Sequence, residues 1–230
     1  MKDFAKLLKK IGLKFTNPET LKMAFVHKSY VNEHKNEDLP NNERLEFLGD
    51  AVLELVATGH LFKQYPDQDE GAMTSFRSAL VKGKHLAEIA QELELGAYLF
   101  LSRGEENSGG REKSYILANT LEALIGAIYL DRGYTAAAKF IQKFILQRLD
   151  EIIKKGLHID AKSSFQEICQ ELENITPHYE LISEEGPDHS KNFTMGAYIG
   201  AELIAKGHGG SKQKAEDEAA KNALTKKGWN

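Results

Sequence analysis

Asn42-Glu43-Arg44-Leu45-Glu46-Phe47-Leu48-Gly49-Asp50-Ala51-Val52-Leu53 sets three carboxylates at helical spacing. Glu43, Glu46 and Asp50 follow at steps of three and four residues, so a helix puts them on one face. Leu45, Leu48 and Val52 fall on another face and read as its apolar side. Like charges one turn apart cost a helix about 0.2–0.5 kcal/mol per pair. Three in a stripe therefore call for a cation among them, and Arg44, the nearby positive residue, is turned off the stripe. By spacing alone, a solvated acidic face is the commoner meaning of such a pattern.

A second segment changes the weighing. Asn119 and Glu122 lie three residues apart on the apolar run Ile116–Leu130, where Leu117, Leu121, Leu124, Ile125 and Ile128 mark a buried helix. A carboxylate on a core helix needs a partner. If Glu122 faces the stripe of Glu46 and Asp50, a hard divalent cation is the natural one. All-oxygen ligation suits Mg²⁺, with Mn²⁺ as a substitute, rather than zinc. The 8 histidines are scattered and form no His/Cys cluster. Such a site suits phosphodiester hydrolysis. No Ser-His-Asp or Cys-His arrangement competes, and no Gly-rich phosphate loop ending in Gly-Lys-Ser/Thr is present.

Outward from these two segments, the first two thirds of the chain read as nearly all helix. Asn17-Pro18-Glu19 is a helix start with an Asn cap. The acidic helix ends at Pro66. Further helices are expected at Glu70–Val81, Lys84–Leu95, Tyr115–Leu130 and Ala136–Ile153, with a polar, Gly-rich loop from Ser102 to Lys113. Lys154–Asp160 is a short polar connector containing Gly156. Beyond it the pattern becomes helix (Ala161–Glu173), three short strands, and helix (Lys212–Lys226). The strands are carried by Tyr179–Ile182, by Phe193–Met195 with Ala197–Ile199, and by the run beginning Leu203-Ile204-Ala205 after a hairpin turn at Gly200-Ala201-Glu202. The fold class expected is an all-α domain over residues 1–153, a linker over 154–160, and a small α+β (α-β-β-β-α) domain over 161–230.

In the last of these, Gly207-His208-Gly209-Gly210-Ser211-Lys212-Gln213-Lys214 opens a helix. Gly209 and Gly210 would let backbone approach a phosphate, Ser211 is a cap, and Lys212 and Lys214 join the helix N-terminus as an anion site. A net charge of −4 is not the footprint of a nucleic-acid binder, so any such binding must be local. The single cysteine, Cys169, cannot form an intramolecular disulfide and reads as a small buried apolar residue. Trp229 reads as a packing residue. No stretch is apolar enough to span a membrane and Met1-Lys2-Asp3-Phe4 starts no signal peptide, so a cytoplasmic location is the default expectation.

The run Glu43–Asp50 resembles the signature segment of the ribonuclease III family. Glu70-Gly71-Ala72-Met73-Thr74 is similar to the family's second acidic segment, and Ile116–Ala127 to its third, in family order and spacing. Residues from about Asp160 to Thr225 resemble the double-stranded-RNA-binding domain. The pieces are Phe165-Gln166-Glu167, Gly186-Pro187-Asp188-His189-Ser190, and Gly207–Glu216. The resemblance implies that Glu46, Asp50 and Glu122 ligate the metal with residue 119, and that Glu43 and Glu70 support cleavage. It puts Phe47 at the contact of a homodimer with two cleavage sites. Gln166, His189 and Ser190 would reach minor-groove hydroxyls, and Ser211, Lys212 and Lys214 phosphates. The implied activity is endonucleolytic cleavage of double-stranded RNA to 5′-phosphate and 3′-hydroxyl ends, in ribosomal, messenger and small-RNA processing. One position departs: the family has an aspartate where this chain has Asn119. An amide oxygen can ligate a metal but brings no charge. The alternative is therefore a double-stranded-RNA-binding dimer whose cleavage is impaired. A purely structural dimer would leave the acidic stripe without a purpose.

Overall fold

Asn17 begins a helix as expected: its side chain accepts the Glu19 amide at 3.0 Å, with Pro18 at the first helical position. In a computed structural model that describes residues 3–35, 39–156, 160–187 and 190–229, this helix, α2 (Pro18–Met23), lies between two short ones that the sequence pattern does not announce. They are α1 (Ala5–Ile11) and α3 (Lys28–Glu33). The acidic helix, α4 (Glu43–Gln64), follows. Its start is pinned by two asparagines. Asn41 accepts the Glu43 amide at 3.1 Å, while the buried Asn42 donates to Ala24 O at 3.2 Å and to Val26 O at 2.8 Å.

Next come α5 (Glu70–Val81), capped by Asp69 accepting from the Ala72 amide at 2.7 Å, and α6 (Gly83–Glu92). α6 stops short of the expected Leu95 because Glu94 adopts φ 59 and starts a 3₁₀ turn. The expected loop Ser102–Lys113 contains a short helix, α7 (Arg103–Asn107). Ser102 caps it, accepting from the Glu105 amide at 3.1 Å, and Arg111 ties it down with bonds of 2.8 and 2.9 Å to Gly96 O and Leu99 O.

The apolar segment forms α8 (Ser114–Phe144), broken within by Gly133 at φ 76, ψ 178. A single helix over Ala136–Ile153 was the expectation. Instead, α8 ends at Phe144, a 3₁₀ turn covers Leu146–Arg148, and α9 (Leu149–Lys154) completes the stretch. Ile145 and Leu146 are both buried. Neighbouring residues stand about 100° apart on an α-helix, and the change of winding lets both face the core. The core of this part is the packing of α4 on α8, with Leu45, Leu53, Ala57 and Leu61 against Leu117, Leu121, Leu124 and Ile128. Among the described residues no helix is long and apolar enough to cross a membrane.

The chain divides into two compact units, Met1–His158 and Ile159–Asn230. The second holds α10 (Ala161–Glu173), three antiparallel strands in the order β1-β2-β3, and α11 (Lys212–Lys227). The strands are β1 (His178–Glu185), β2 (Asn192–Ile199) and β3 (Glu202–Gly209). β1 carries a bulge between Leu181 and Ser183. One face of the sheet and the two helices bury Phe165, Cys169, Ala197, Ile199, Ile204, Ala219, Ala223 and Leu224, with Trp229 packed against them. The helix–three-strand–helix order and the burial of Cys169 are as the sequence implies.

Candidate active site and nucleic-acid interface

Two glycines decide how closely α4 and α8 meet. A Cβ built on Gly49 would lie 1.8 Å from the carbonyl oxygen of Glu122, and one on Gly126 would lie 2.2 Å from that of Leu45. Backbone therefore rests on backbone at this crossing, a contact that side chains would prevent. Glu46 and Asp50 flank Gly49 on α4, and Asn119 and Glu122 precede Gly126 on α8, so the crossing gathers all four. The sequence offered a signal for it: glycine inside a helix costs about 1 kcal/mol relative to alanine, and two such residues on facing helices mark a close approach.

The electrostatics record the gathering. Burial pushes the Glu122 carboxyl up to about 7, and the charges of Asp50 and Glu46 push in the same direction. Glu46 is also raised, first by burial, then by Glu43 and Asp50. Against this, the nearby Asn119 side chain and the Lys28 charge favour its ionised form. Lys28 also pairs with Glu43 at 3.3 Å. Neither Lys28 nor the nearness of Asn119 to Glu46 is evident from the spacing of the acids. Glu70, in the first turn of α5, is exposed and is not among the charges that shift Glu122.

Three carboxylates and one amide form an oxygen-only donor set, which fits a hard divalent ion. Two of the carboxyls are held above their ordinary range, first by burial and then by their like-charged neighbours, and a bound cation would oppose both. Among the described residues no three His, Cys, Asp or Glu side chains are already drawn together into a metal-holding group.

Beside the stripe, Phe47 projects from α4 with 81% of its surface exposed. Next to it lies a hollow of about 680 Å³, bordered by Met23, Pro40, Leu48 and Leu130. A projecting ring beside an apolar hollow is the arrangement a two-fold contact can use twice.

In the second unit, Ser211 caps α11, accepting from the Lys214 amide at 3.3 Å. Lys212 and Lys214 are exposed in its first turn. One glycine role differs from the expectation. A Cβ on Gly209 would meet the Ala215 amide nitrogen at 2.7 Å, so Gly209 serves the packing of β3 on α11, as Gly207 does at 2.1 Å from the Ala219 nitrogen. Gly210 has open space around it, so it alone leaves room for a phosphate. Gln166 is exposed on α10, and exposed Ser190 closes a turn by donating its amide to Pro187 O at 2.8 Å. His189 lies outside the described residues. The acidic flank of α11 is engaged within the domain: Glu216 pairs with Lys162 at 2.6 Å, and Glu218 accepts the His208 amide.

Comparison with known proteins agrees with this division. Residues 17–149 match the family described as Ribonuclease-III-like, and residues 161–227 match the double-stranded RNA binding motif. Ribonuclease 3 of Desulfotalea psychrophila is 45% identical over 222 residues, covering 96% of this chain and 92% of that protein. Ribonuclease 3 of Pseudothermotoga lettingae is 41% identical over 232 residues, covering 98% of each. The solved nuclease domain of ribonuclease III from Campylobacter jejuni superposes with a TM-score of 0.59 at 41% identity, covering 63% of this chain and 97% of that one. That protein is described as having a region involved in dimer formation. With a helical nuclease unit followed by an α-β-β-β-α RNA-binding unit, this chain belongs to the ribonuclease III family and is a ribonuclease III-type endoribonuclease.

Proposed function

We propose that this chain cleaves double-stranded RNA by divalent-metal-assisted phosphodiester hydrolysis, leaving 5′-phosphate and 3′-hydroxyl ends. The observation that carries the reading is the Gly49/Gly126 crossing, which brings Glu46 and Asp50 beside Asn119 and Glu122. Glu46, Asp50 and Glu122 would hold Mg²⁺, or Mn²⁺ in its place, with the Asn119 amide oxygen as a neutral fourth donor. When bound, the ion supplies hydroxide near neutral pH and offsets charge on the phosphoryl oxygens and the leaving group. Glu122 has to lose the proton it keeps up to about pH 7 before it can ligate, so its environment makes metal uptake pH-dependent. Glu43, held by Lys28, and Glu70 on α5 would support the cleavage site. Gln166, His189 and Ser190 would meet minor-groove hydroxyls, and Ser211, Lys212 and Lys214 phosphates, so that A-form shape is recognised more than sequence. Two chains would join through Phe47 and its neighbouring hollow, giving one cleavage site per strand. The cellular role that follows is cytoplasmic processing of ribosomal, messenger and small RNAs.

Asn119 supports a second reading. With an amide where a fourth carboxylate would add charge, the chain would bind duplex RNA as a dimer and cut it slowly. One assay separates the two: long double-stranded RNA is incubated with the protein with and without Mg²⁺ and analysed by gel shift and product length. Metal-dependent shortening to duplex fragments supports the nuclease. A shift with no shortening at any Mg²⁺ or Mn²⁺ concentration supports the binding protein.

A further inference from the structure

The first unit carries a cationic cleft remote from the acidic crossing. It is bordered on one side by Ile11, Gly12 and Leu13, and on the other by Arg132, Lys139 and Lys143, with the side of Phe140 at its floor. Its volume is about 520 Å³. Its lining shares no residue with the acidic crossing.

The charge of this face is not an accident of a basic protein, since the chain is net negative. Between Asp131 and Asp150 the sequence has Arg132, Lys139, Lys143 and Arg148 and no acid. Between Asp3 and Glu19 it has Lys6, Lys9, Lys10 and Lys14 and no acid. The fold packs these two acid-free segments against each other to make the cleft. No carboxylate borders it. Among the described residues, no acid pairs with Arg132, Lys139 or Lys143, whereas Lys6 and Arg148, away from the cleft, are neutralised by Glu94 and Glu92.

The walls are fixed rather than draped. Asp131, the nearest acid in sequence, is used up by the backbone, accepting the amides of Thr16 and Asn17 at 2.7 Å each. Arg132 donates to Lys14 O at 3.1 Å, which bolts the Gly12–Lys14 turn to α8. Lys143 lies over the Phe144 ring at 4.8 Å. A cation in the last turn of a helix is explained by the helix dipole, and that accounts for Lys143. It does not account for Lys139 one turn earlier or for Arg132 before the helix break.

We infer that this cleft binds a single-stranded segment of RNA, its phosphates on Arg132, Lys139 and Lys143 and a base against the apolar side of Ile11 and Leu13. The occupant is argued from charge. A cationic rim that no described acid neutralises, beside apolar side chains, is the pattern that serves backbone and base together. Lys139 and Lys143, at i and i+4, stand on one side of α8 about 5–6 Å apart, so they address successive charges along a chain rather than one isolated anion. In this way the enzyme would hold the unpaired tails that flank a duplex, separately from the duplex sites of the second unit. The choice of RNA rests on the nuclease reading above.

The test uses the full chain without Mg²⁺, fluorescein-labelled polyuridylate for the strand, and labelled duplex RNA, followed by fluorescence anisotropy. The double substitution Lys139→Gln/Lys143→Gln keeps good helix formers on the exposed face and removes two charges. It is expected to weaken polyuridylate binding about tenfold or more at low salt, while duplex binding stays within about twofold. Lys212→Ala/Lys214→Ala is expected to do the reverse. Polyuridylate binding unchanged in the Lys139/Lys143 variant, or lost equally in the Lys212/Lys214 variant, overturns the inference even when duplex binding is intact. Uridine monophosphate competing as strongly as polyuridylate also overturns it, since the cleft would then be a nucleotide pocket. Failure of the unsubstituted protein to bind duplex RNA would instead count against the nuclease reading.

Discussion

Replacing Gly49 by alanine tests the crossing on which the acidic site depends. The new Cβ would stand 1.8 Å from the Glu122 carbonyl oxygen, and real Cβ atoms essentially never come closer than 3.0 Å to such a neighbour. The two helices must therefore part by about 1.2 Å, the gap between those two distances. The obstacle is backbone on both sides, so no rotamer change relieves it. Overpacking of this kind costs about 1–3 kcal/mol, and a backbone clash belongs at the upper end. The gain in helix propensity from glycine to alanine returns about 1 kcal/mol, leaving a net loss of about 2 kcal/mol. That corresponds to roughly 4–8 °C in the Tm of the nuclease unit. The loss of activity should be disproportionate, because a displacement of about 1 Å in positioned groups can cost on the order of 100-fold in rate. The assay is single-turnover cleavage of duplex RNA with Mg²⁺, well below the lower Tm, with calorimetry on the same samples. Gly59→Ala on the same helix is the control. A Cβ there meets nothing within 4 Å, so it should raise stability by about 0.5–1 kcal/mol and leave cleavage unchanged. If Gly49→Ala keeps normal Tm and normal cleavage, the close crossing is not what assembles the site.

Four further outcomes are expected. Asn119→Asp should raise Mg²⁺-dependent cleavage by on the order of 100-fold, with metal-free duplex binding changed by less than about threefold; equal rates for the two proteins would remove position 119 from the ligand set. Glu122 titrates near 7 in the folded chain against an ordinary 4.5, so its contribution to metal-free stability is complete below about pH 4.5 and is lost as pH rises through about 7. The difference is about 3 kcal/mol at most, reduced to about 1–2 kcal/mol by solvent screening of a half-buried group. Glu122→Gln should therefore flatten the fall in metal-free Tm between about pH 5 and 8 by roughly 2–8 °C while abolishing cleavage, and an unchanged pH profile would show that Glu122 is not the perturbed group. Sedimentation should find a dimer for the parent chain and a 25.7 kDa species for Phe47→Asp; a 25.7 kDa parent at micromolar concentration would exclude the dimer. Lys212→Ala/Lys214→Ala should weaken binding to all duplex RNA sequences alike and lower the salt dependence by about two ion equivalents; a changed sequence preference at constant affinity would contradict a phosphate role.

Much of the fold was legible because long amphipathic segments announce themselves. Leu45, Val52, Leu121 and Ile128 repeat at helical intervals and are buried where that pattern puts them, whereas Leu48 is only partly buried and Leu55, at the same spacing, is 61% exposed. The elements that escaped are those set by contacts rather than by period. α1 and α3 have only six or seven residues, too few for a pattern. The cap of α3 is His27, whose ring nitrogen meets the Ser29 amide at 3.2 Å, an unusual residue in that place. α7 hides in a polar loop because its stability comes from Arg111 and Lys113 reaching back to it. In the site, the acids were visible as residue types at spacings. What brings them together is the missing side chains of Gly49 and Gly126, a signal that can be read only once the two helices are known to face each other. The nearness of Asn119 to Glu46 is likewise a property of two helices and of neither alone.

The bulge in β1 bears on solubility. A sheet of three strands has two open edges, and an open edge invites another chain to continue the ladder. On β1 the exposed Leu181 and Ile182 are the residues such a partner would cover. The register breaks between Leu181 and Ser183, and Glu180, Glu184 and Glu185 stand along the same strand. A second copy brought edge to edge would meet a kinked template and its own negative charge. The β1 edge of the RNA-binding unit is therefore ill suited to continue a ladder into a neighbouring copy when such units are crowded along a long duplex.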